Sequence, residues 1–410
     1  MRIVDVETVV VGTPPPHLGG SYWIFVRVTT DGGVSGLGEI YAPPFLPPAV
    51  VEMVADVAGR SLVGANPFDI ERLWRVIYSR GYTQRPDTSL VAILSGLETA
   101  CWDIIGKELG KPVYALLGGK VREGLRSYTY IYPAPGSDES VYTDPALGAE
   151  RAAGYVRQGF TAVKFDPIVS YSALDPRQLT TSRLQEAESY VAAVRQAVGA
   201  SADLLIGTHG QMTPSSAIRL ARALERHDPL WLEEPTPPEM PEQMSQVARA
   251  TSIPIATVER LATKYEFARV LECRAAAILQ MAVGRVGGIL EAKKIAHAAE
   301  AYYVDIAPHL YAGPVEAAAN LHLGVSTPNF LVQESIEEMG GFHAEILKRP
   351  LCWQDGFLLP PELPGLGVEL DDEVVSRHPY DGERLHLEMG EGEEHLLDKA
   401  SEAGVPRSPG

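Results

Sequence analysis

Two adjacent carboxylates, Glu233 and Glu234, stand where an apolar run over residues 229–232 ends at a proline. The run is typical of a buried strand, whose side chains alternate between its two faces. Glu233 therefore shares a face with Trp231 and is expected to point inward. Adjacent acids on a loop are usually only solvated, so the case for chemistry depends on the rest of the chain.

Short apolar runs that end in a polar or charged residue recur along the sequence, separated by segments of helix length. These runs are residues 161–166, 203–209, 253–259, 303–309 and 330–334. A strand followed by a helix, repeated about eight times, predicts a (β/α)8 barrel. In such a barrel the reacting groups lie at the carboxyl ends of the strands.

The ends of these runs carry residue types that move protons and bind cations. Lys164 and Asp166 are two residues apart and share a strand face. A lysine inside a barrel mouth is costly to bury unless its charge has a task, which makes Lys164 a candidate base with a lowered pKa. The other runs end at His209, Glu259, His309 and Glu334.

Together these residues suit abstraction of a proton next to a carboxylate. A substrate carboxylate held on a divalent metal can lose its α-proton to Lys164 or His309, with the metal stabilising the enediolate. The acidic ligands Glu233 and Glu259 favour Mg²⁺. Glu334 is placed to donate a hydrogen bond or a proton to the other carboxylate oxygen.

The composition limits the class of partner. The chain has 410 residues, a formal charge of -18 and a pI near 5.0, which argues against a nucleic-acid partner or an anionic membrane. Its three cysteines are widely spaced and indicate thiols in a reducing compartment. The first residues alternate like a strand rather than a signal peptide, and no apolar run approaches membrane-spanning length. A soluble cytoplasmic protein with a small-molecule carboxylate substrate is expected.

Four regions follow from the changes in pattern. Residues 1–124 read as an α+β capping domain, with three strands followed by helices. Residues 125–335 form the barrel, and residues 336–380 return to cover the cap. Residues 381–410 are acidic, with few large apolar groups, and predict a mobile tail.

In its motifs the chain resembles the enolase superfamily, in the mandelate racemase/muconate lactonizing enzyme group and among its galactonate dehydratase-like members. The motifs are the segments 96–119, 164–167, 232–235, 259–260, 286–288, 307–314 and 333–334. The resemblance implies an α+β cap, completed by the C-terminal segment, over a modified TIM barrel, in a homo-oligomer that binds Mg²⁺. It also implies substrate-covering loops at residues 13–20 and 80–87.

By the same resemblance, Lys164 is the base on the second barrel strand and Glu233 and Glu259 are metal ligands. His309 is the acid or base of the seventh strand, and Glu334 is the acid of the eighth.

One departure from the family pattern removes a metal ligand. The family places an aspartate at the end of the third barrel strand, where this chain has Gly207. The third ligand is then His209, a water molecule, or Asp166 reaching across, and we expect His209. An imidazole ligand suits Mn²⁺ better than Mg²⁺. In dehydratase-like relatives the same histidine protonates the departing hydroxyl, and it cannot do both.

A second departure affects the seventh strand. The family has an aspartate on the sixth strand that orients the histidine, whereas this chain reads Gln280-Met281-Ala282. His309 should therefore have a looser tautomer preference, and Lys164 becomes the favoured base. Val258 replaces the glycine that often precedes the second metal glutamate.

The expected activity is dehydration of an aldonate or aldarate to a 2-keto-3-deoxy acid. A racemase, epimerase or cycloisomerase could use the same enediolate, and two opposed bases would favour it. A catalytically weakened relative that only binds a ligand is the remaining alternative. The set of buried charges argues against it, because unneeded buried charge is costly.

Overall fold

The computed structural model describes residues 1–42, 44–137, 139–168, 172–174 and 177–390. The chain begins with an antiparallel sheet in the order β1-β2-β3. The central strand β2 is almost wholly buried, because one face packs on the helices of the cap and Trp23 and Phe25 on the other face join the main core. The elements of this cap are β1 (Ile3–Gly12), β2 (Tyr22–Thr30), β3 (Ser35–Ile40), α1 (Pro47–Ser61), α2 (Ile70–Tyr78), α3 (Thr88–Leu109) and α4 (Val113–Leu116).

Helix α3 is the central helix of the cap. By length and composition alone this helix could cross a membrane, so the expectation that no apolar run approaches that length is wrong. Most of the helix is buried inside the protein. Asp87 caps its amino end by accepting from Ser89 N and Leu90 N at 3.0 Å. The helix passes so close to β3 that a Cβ on Gly38 would collide with the carbonyl of Gly96. Glycine at these two positions therefore sets the spacing of helix and sheet.

Alternating strands and helices follow, as the sequence predicts. They are β4 (Leu125–Tyr130), α5 (Pro145–Gln158), β5 (Ala162–Phe165), α6 (Thr181–Val198), β6 (Asp203–Gly207), α7 (Pro214–Leu224), β7 (Trp231–Glu233), α8 (Pro241–Ala248), β8 (Ile255–Thr257), α9 (Thr263–Glu272), β9 (Ile278–Leu279), α10 (Val283–Val286), α11 (Ile289–Glu300), β10 (Asp305–Ile306), α12 (Pro314–Val325) and β11 (Gln333–Ser335). Short 3-10 turns lie at Arg80–Tyr82, Glu139–Tyr142 and Glu225–His227.

The strands β4 to β10 pair in parallel in chain order, and β11 returns to pair with β4. A bridge between Ile306 and Phe330 joins the two ends of the series. The sheet is thereby closed, which confirms the predicted barrel. Its interior is filled by side chains rather than left as a pore. They include Tyr128, Leu205, Trp231, Ile278 and Val332.

The last elements are α13 (Gly341–Glu345), β12 (Cys352–Gln354), β13 (Phe357–Leu359) and α14 (Asp372–Arg377). Strand β13 adds antiparallel to the start of β4. Beyond it the chain returns to the cap, where Gly365 bridges to Pro112 and Pro379 bridges to Val11. The segment after the barrel thus covers both the barrel and the cap.

The boundary expected at residue 381 differs from the packing. His386 is only 6% exposed and lies among aromatic rings of the cap and barrel, so the packed body reaches at least residue 390. The composition of residues 381–390 gave no sign of this, because one buried histidine supplies the anchor instead of a run of apolar residues. Residues 391–410, the rest of the expected tail, lie outside the described residues.

Candidate active site

The barrel brings the predicted strand-end residues together in one buried cluster beneath the cap. Lys164 lies in β5, Glu233 in β7 and Glu334 in β11, while Glu259 and His309 lie just beyond β8 and β10. Lys164 and Glu233 are 3% and 2% exposed. Parallel strands place their carboxyl ends at the same rim, which is why residues far apart in sequence meet here.

The central contact is an ion pair. Lys164 Nζ lies 2.6 Å from Glu233 Oε1 and 3.3 Å from Glu334 Oε1. The second oxygen of Glu233 accepts a hydrogen bond from Gln280 Nε2 at 2.7 Å. Gln280 follows β9 and lies two residues before Ala282, which replaces the aspartate of the family pattern. Here its amide holds the Glu233 carboxylate.

The lowered pKa expected for Lys164 is wrong for this arrangement. Burial alone would lower the pKa, but the carboxylates of Glu233 and Glu334 outweigh it and raise the pKa of Lys164 well above its usual value. The amine is therefore protonated as it stands. Its basicity depends on what else binds those carboxylates.

Glu334 stands between Lys164 and His309. Its Oε1 faces the amine, whereas its Oε2 accepts from Leu310 N at 2.7 Å and lies 3.9 Å from His309 Nε2. The same imidazole nitrogen lies 3.3 Å from Glu259 Oε2. His309 Nδ1 has no hydrogen-bond partner in the described part of the chain. This is the arrangement expected where Ala282 replaces the orienting aspartate.

Asp166 and His209 form a second pair at the ends of β5 and β6. Asp166 Oδ2 lies 2.5 Å from His209 Nδ1, and the histidine side chain is 38% exposed at the mouth. Desolvation would lower the pKa of His209, but the charge and hydrogen bond of Asp166 raise it to about 9. His209 is then an imidazolium near neutral pH and a poor metal ligand. A Cβ on Gly207 would collide with the Asp166 carboxylate, which thus occupies the space of the absent side chain.

Two arginines lie at the rim above these acids. Arg260 binds Glu234 Oε2 through Nε and one terminal nitrogen, at 2.9 and 2.6 Å. Arg285 lies 4.2 Å over the ring of Tyr41, and its terminal nitrogen is 3.4 Å from the carbonyl of Glu259. Tyr41 in turn stacks on His309, with ring centroids 5.9 Å apart.

The backbone at the rim adopts conformations that side chains disfavour. Val258, directly before Glu259, has a φ of 88°, and His209 and Glu234 have φ values of 46° and 42°. A β-branched residue in the left-handed region is strained, and such strain persists only where the surroundings enforce it. Val258 is fully buried. Its surroundings thus hold the backbone of Val258 in the turn that presents Glu259.

The donor set fits a divalent cation. Asp166, Glu233 and Glu259 are carboxylates at neighbouring strand ends, and negative side chains outnumber the lysine and arginine that face them. Glu259 Oε2 makes no hydrogen bond within the described residues. Burial would raise the pKa of Glu259, but electrostatic interactions with His309, His209 and Lys164 outweigh it and lower that pKa below its usual range. Within the described residues, no three side chains of aspartate, glutamate, histidine or cysteine are already arranged to coordinate a metal ion. The Glu233 carboxylate is instead paired with Lys164.

The cleft above the site has a volume of about 440 Å³ and is lined by three parts of the chain. The cap supplies Tyr41, Thr88 and Ser89; the barrel supplies Arg260 and Arg285; the C-terminal segment supplies Leu385 and Leu387. The expected cover loop 13–20 lies nearby, where a Cβ on Gly20 would collide with the ring of His386. Loop 80–87 does not line this cleft; the residues directly after it do.

Sequence reasoning missed Gln280, Arg285, Tyr41 and His386. Gln280 directly follows β9 and lies close to Ala282, where the family's aspartate is absent, so its position in the sequence could have marked it as a site residue. Nothing local marks the other three, because their roles arise from contacts between distant segments.

Comparison with known families agrees with this architecture. Residues 148–374 match the model described as enolase C-terminal domain-like. Residues 12–118 match the mandelate racemase / muconate lactonizing enzyme N-terminal domain. The two matches correspond to the barrel and the cap.

Individual relatives span nearly the whole chain. A D-galactonate dehydratase of Ralstonia nicotianae is 36% identical over 86% of this chain and 90% of its own length. A D-xylonate dehydratase of Haloferax volcanii is 34% identical over 94% of this chain and 90% of its own. The solved structure of a mandelate racemase/muconate lactonizing enzyme from Sulfitobacter sp. superposes with a TM-score of 0.93, at 50% identity, covering 96% of this chain and 99% of that one.

Proposed function

The chain belongs to the mandelate racemase/muconate lactonizing enzyme family of the enolase superfamily, and from this premise we propose that it dehydrates a sugar acid. The substrate is an aldonate or an aldarate, and the product is a 2-keto-3-deoxy acid. D-Galactonate and D-xylonate, which give two relatives their names, are the first candidates.

One observation carries the proposal: Lys164 and His309 face the same carboxyl group, that of Glu334, from its two oxygens. A carbon acid placed against this group would have an amine on one side and an imidazole on the other. Such a pair suits removal of a proton from a carbon next to a carboxylate.

A divalent cation is proposed to complete the site, held by Asp166, Glu233 and Glu259. Asp166 replaces His209 in this proposed set, because the carboxylate fills the space beside Gly207 while His209 is protonated. Three carboxylates favour Mg²⁺, with Mn²⁺ as a substitute. When bound, the cation would supply charge stabilisation for the carboxylate of the substrate as its α-proton leaves.

Lys164 is the proposed base. Its pKa is raised by Glu233 and Glu334, while burial acts in the opposite direction. If Glu233 is engaged elsewhere, the lysine loses its closest counter-charge, at 2.6 Å, and burial then favours the neutral amine. The neutral amine takes the α-proton. The electron pair of the broken C–H bond then forms the double bond between the α-carbon and the carboxylate carbon.

His209 is the proposed acid for the leaving group. The β-hydroxyl departs with the electrons of its C–O bond and takes the proton of the imidazolium, so it leaves as water. The resulting enol becomes the 2-keto-3-deoxy acid when the β-carbon gains a proton, which makes it a methylene, and the enol hydroxyl loses its proton. Asp166 raises the pKa of His209 to about 9, so the imidazole holds a proton to give near neutral pH.

An isomerase is the second candidate, favoured by the position of His309 opposite Lys164. A racemase or epimerase would return the proton from His309 on the other face of the carbon. The missing hydrogen-bond partner of His309 Nδ1 weakens this alternative, because nothing fixes the tautomer.

We also propose a cytoplasmic location. The thiols of Cys101, Cys273 and Cys352 are all free, which agrees with the reducing environment of the cytoplasm. A homo-oligomer is proposed as well, on the resemblance to the family alone.

The test is proton NMR in D₂O of the Mg²⁺-loaded protein with D-galactonate, D-xylonate and other sugar acids. Loss of the α-proton signal together with a new keto-acid methylene is the expected result. Exchange of the α-proton without a methylene would move the function to the isomerase class. Retention of every α-proton, with Mg²⁺ shown to be bound, would contradict sugar-acid chemistry at this site.

A further inference from the structure

The segment 379–390, here termed the C-terminal strap, crosses from the cap to the rim of the barrel. At its start Pro379 bridges to Val11 of the cap, and Gly12 N donates to His378 O at 2.8 Å. At its end Gly390 bridges to Ser172, and Ala173 N donates to Gly390 O at 3.0 Å. Ser172 lies in the connection after β5, the strand that carries Lys164. The strap therefore joins the two domains across the mouth of the site.

The middle of the strap places one histidine among the rings that border the site. The His386 ring lies 5.0 Å from that of Tyr41, 5.7 Å from that of Tyr22 and 6.0 Å from that of Tyr311. Tyr41 is the same ring that stacks on His309 and underlies Arg285. On its other side the His386 ring lies against Gly20 of the cover loop, where no side chain would fit.

His386 has a buried polar atom that is not satisfied by the protein. The residue is 6% exposed, and its Nδ1 has no hydrogen-bond partner among the residues that the structure describes. Leaving a buried nitrogen unpaired is costly, so this atom calls for a partner. The residues on either side of it, Leu385 and Leu387, line the cleft, so a ligand bound there can supply that partner. Burial, together with the charge of Arg285, lowers the pKa of His386 to about 3. The ring is neutral and can exchange a hydrogen bond with a neutral hydroxyl.

We propose that residues 385–387 of the C-terminal strap are part of the substrate-binding site and that His386 Nδ1 hydrogen-bonds a hydroxyl of the bound sugar acid. This inference rests on the proposed function for the identity of the ligand. His386 packs against Tyr41 rather than against Lys164, the proposed base. The hydroxyl that it binds therefore belongs to a carbon beyond the two reacting carbons. The strap then helps to select polyhydroxylated acids over simple ones.

The proposal is tested with three variants in the full chain. His386→Phe keeps the aromatic volume and removes the nitrogen, whereas His386→Asn keeps a polar atom near the position of Nδ1. Met389→Ala is the matched control, since it changes an exposed strap residue that does not line the cleft. Each is assayed for kcat and KM with D-galactonate and D-xylonate, and its melting temperature is measured.

For His386→Phe we expect KM to rise about tenfold or more, with kcat changed less than about threefold. His386→Asn should recover most of the loss, and Met389→Ala should match the parent. A chain that stops after Tyr380 should lose the same binding, while one that stops after Gly390 should keep it. A His386→Phe variant with the KM of the parent would overturn the inference and leave the proposed function intact.

A second measurement separates the two proposals if the parent turns over neither acid. The imidazole nitrogens of ¹⁵N-histidine-labelled protein are observed by NMR, and His386 is assigned by its absence in His386→Asn. A shift of the Nδ1 signal on addition of D-galactonate or D-xylonate would support the strap contact although the proposed function had failed. An unmoved Nδ1 signal would overturn the strap contact too.

Discussion

The carboxylate of Asp166 occupies the space that a side chain on Gly207 would fill. These residues end neighbouring strands, β5 and β6, and a Cβ on Gly207 would collide with Asp166 Oδ1. The φ of Gly207 is not in the left-handed region, so no backbone requirement calls for glycine there. The glycine instead leaves room for an acid that arrives from the next strand. In the proposed metal site, an acid from β5 thus takes the place of the ligand missing from β6.

This relationship predicts how the metal site responds to mutation. Asp166→Ala should weaken Mg²⁺ binding by about tenfold or more, as expected when a carboxylate ligand is lost. His209→Asn should change Mg²⁺ affinity less than about threefold, because its ring is not a ligand in the proposed set. Isothermal titration of both variants gives the comparison. The reverse order of effects would restore His209 as the third ligand.

The double variant Asp166→Gly with Gly207→Asp is the complementary measurement. It moves the carboxylate to the strand that carries it in the family pattern. Mg²⁺ affinity should return to within a few fold of the parent, whereas Asp166→Gly alone should stay weak. Equal weakness in both variants would show that the strand of origin matters beyond the charge.

The sequence predicted the barrel and the residues at its strand ends for a physical reason. A strand has a side-chain period of two, and the polar residue that ends each apolar run is a local pattern visible without neighbours. The closed sheet then brings these ends together whatever the loops contain. Lys164, Glu233, Glu259, His309 and Glu334 were all found in this way.

The features that escaped prediction depend on contacts between distant parts of the chain. The pKa of Lys164 was expected to fall with burial, but its direction is set by the 2.6 Å contact to Glu233 on another strand. His386 packs on Tyr41 from the opposite end of the chain, in a segment whose composition resembles a solvated tail. The positive φ of Val258 contradicts the preference of a β-branched residue, so no propensity could reveal it.

The strain at Val258 predicts that replacement by glycine destabilises the protein less than replacement by alanine, the opposite of the order expected inside a helix. Alanine in the left-handed region costs about 1 kcal/mol relative to glycine, so Val258→Gly should be more stable than Val258→Ala by about that amount. Val191, a buried valine inside α6, is the control. There alanine should be more stable than glycine by about 1 kcal/mol. Urea unfolding of the four variants checks both signs, and the same order at both sites would contradict the strain.

Arg285 predicts a preference between two acids of equal length. Its guanidinium lines the cleft over the ring of Tyr41 and lies 3.4 Å from the carbonyl of Glu259. No carboxylate of the described residues forms an ion pair with it, so it is available to an anionic group. Arg285→Met should reduce kcat/KM for galactarate about tenfold more than for D-galactonate, which lacks the second carboxylate. Arg285→Lys should retain part of the preference. An equal loss for both acids would instead indicate that Arg285 acts through Tyr41 or Glu259.

Two buried carboxyl groups join the cap to the barrel and should make the stability of the protein pH-dependent. Glu39 of β3 accepts from Gly313 N and Glu316 N at the start of α12, at 2.5 and 2.8 Å. Burial raises the pKa of Glu39, and the negative charge of the neighbouring Glu316 adds to this effect, so that the pKa reaches about 8. Burial also raises the pKa of Glu316 to about 7.

Both groups bind more protons in the folded than in the unfolded chain between pH 4.5, their ordinary pKa, and about pH 8. Stability should therefore fall as the pH rises through this range. Glu39→Gln removes one of the two titrations, so its melting temperature should fall less between pH 5 and pH 8 than that of the parent. Glu345→Gln, at an exposed site in α13, is the control and should follow the parent. A parallel fall in all three proteins would place the pH dependence elsewhere.

The ion pair of Lys164 and Glu233 predicts competition between the lysine and the metal. Glu233 cannot keep its 2.6 Å contact with Lys164 and also serve as a proposed ligand, so removal of the lysine should free the carboxylate. Lys164→Met should therefore abolish turnover and α-proton exchange while tightening Mg²⁺ binding by about tenfold or more. Lys293→Met is the matched control, because Lys293 is also buried but binds Ser326 and Thr327 away from the site. That variant should lose stability without any change in Mg²⁺ affinity. Unchanged Mg²⁺ affinity in Lys164→Met would mean that Glu233 serves only as the counter-ion of the lysine, and the proposed ligand set would have to be replaced.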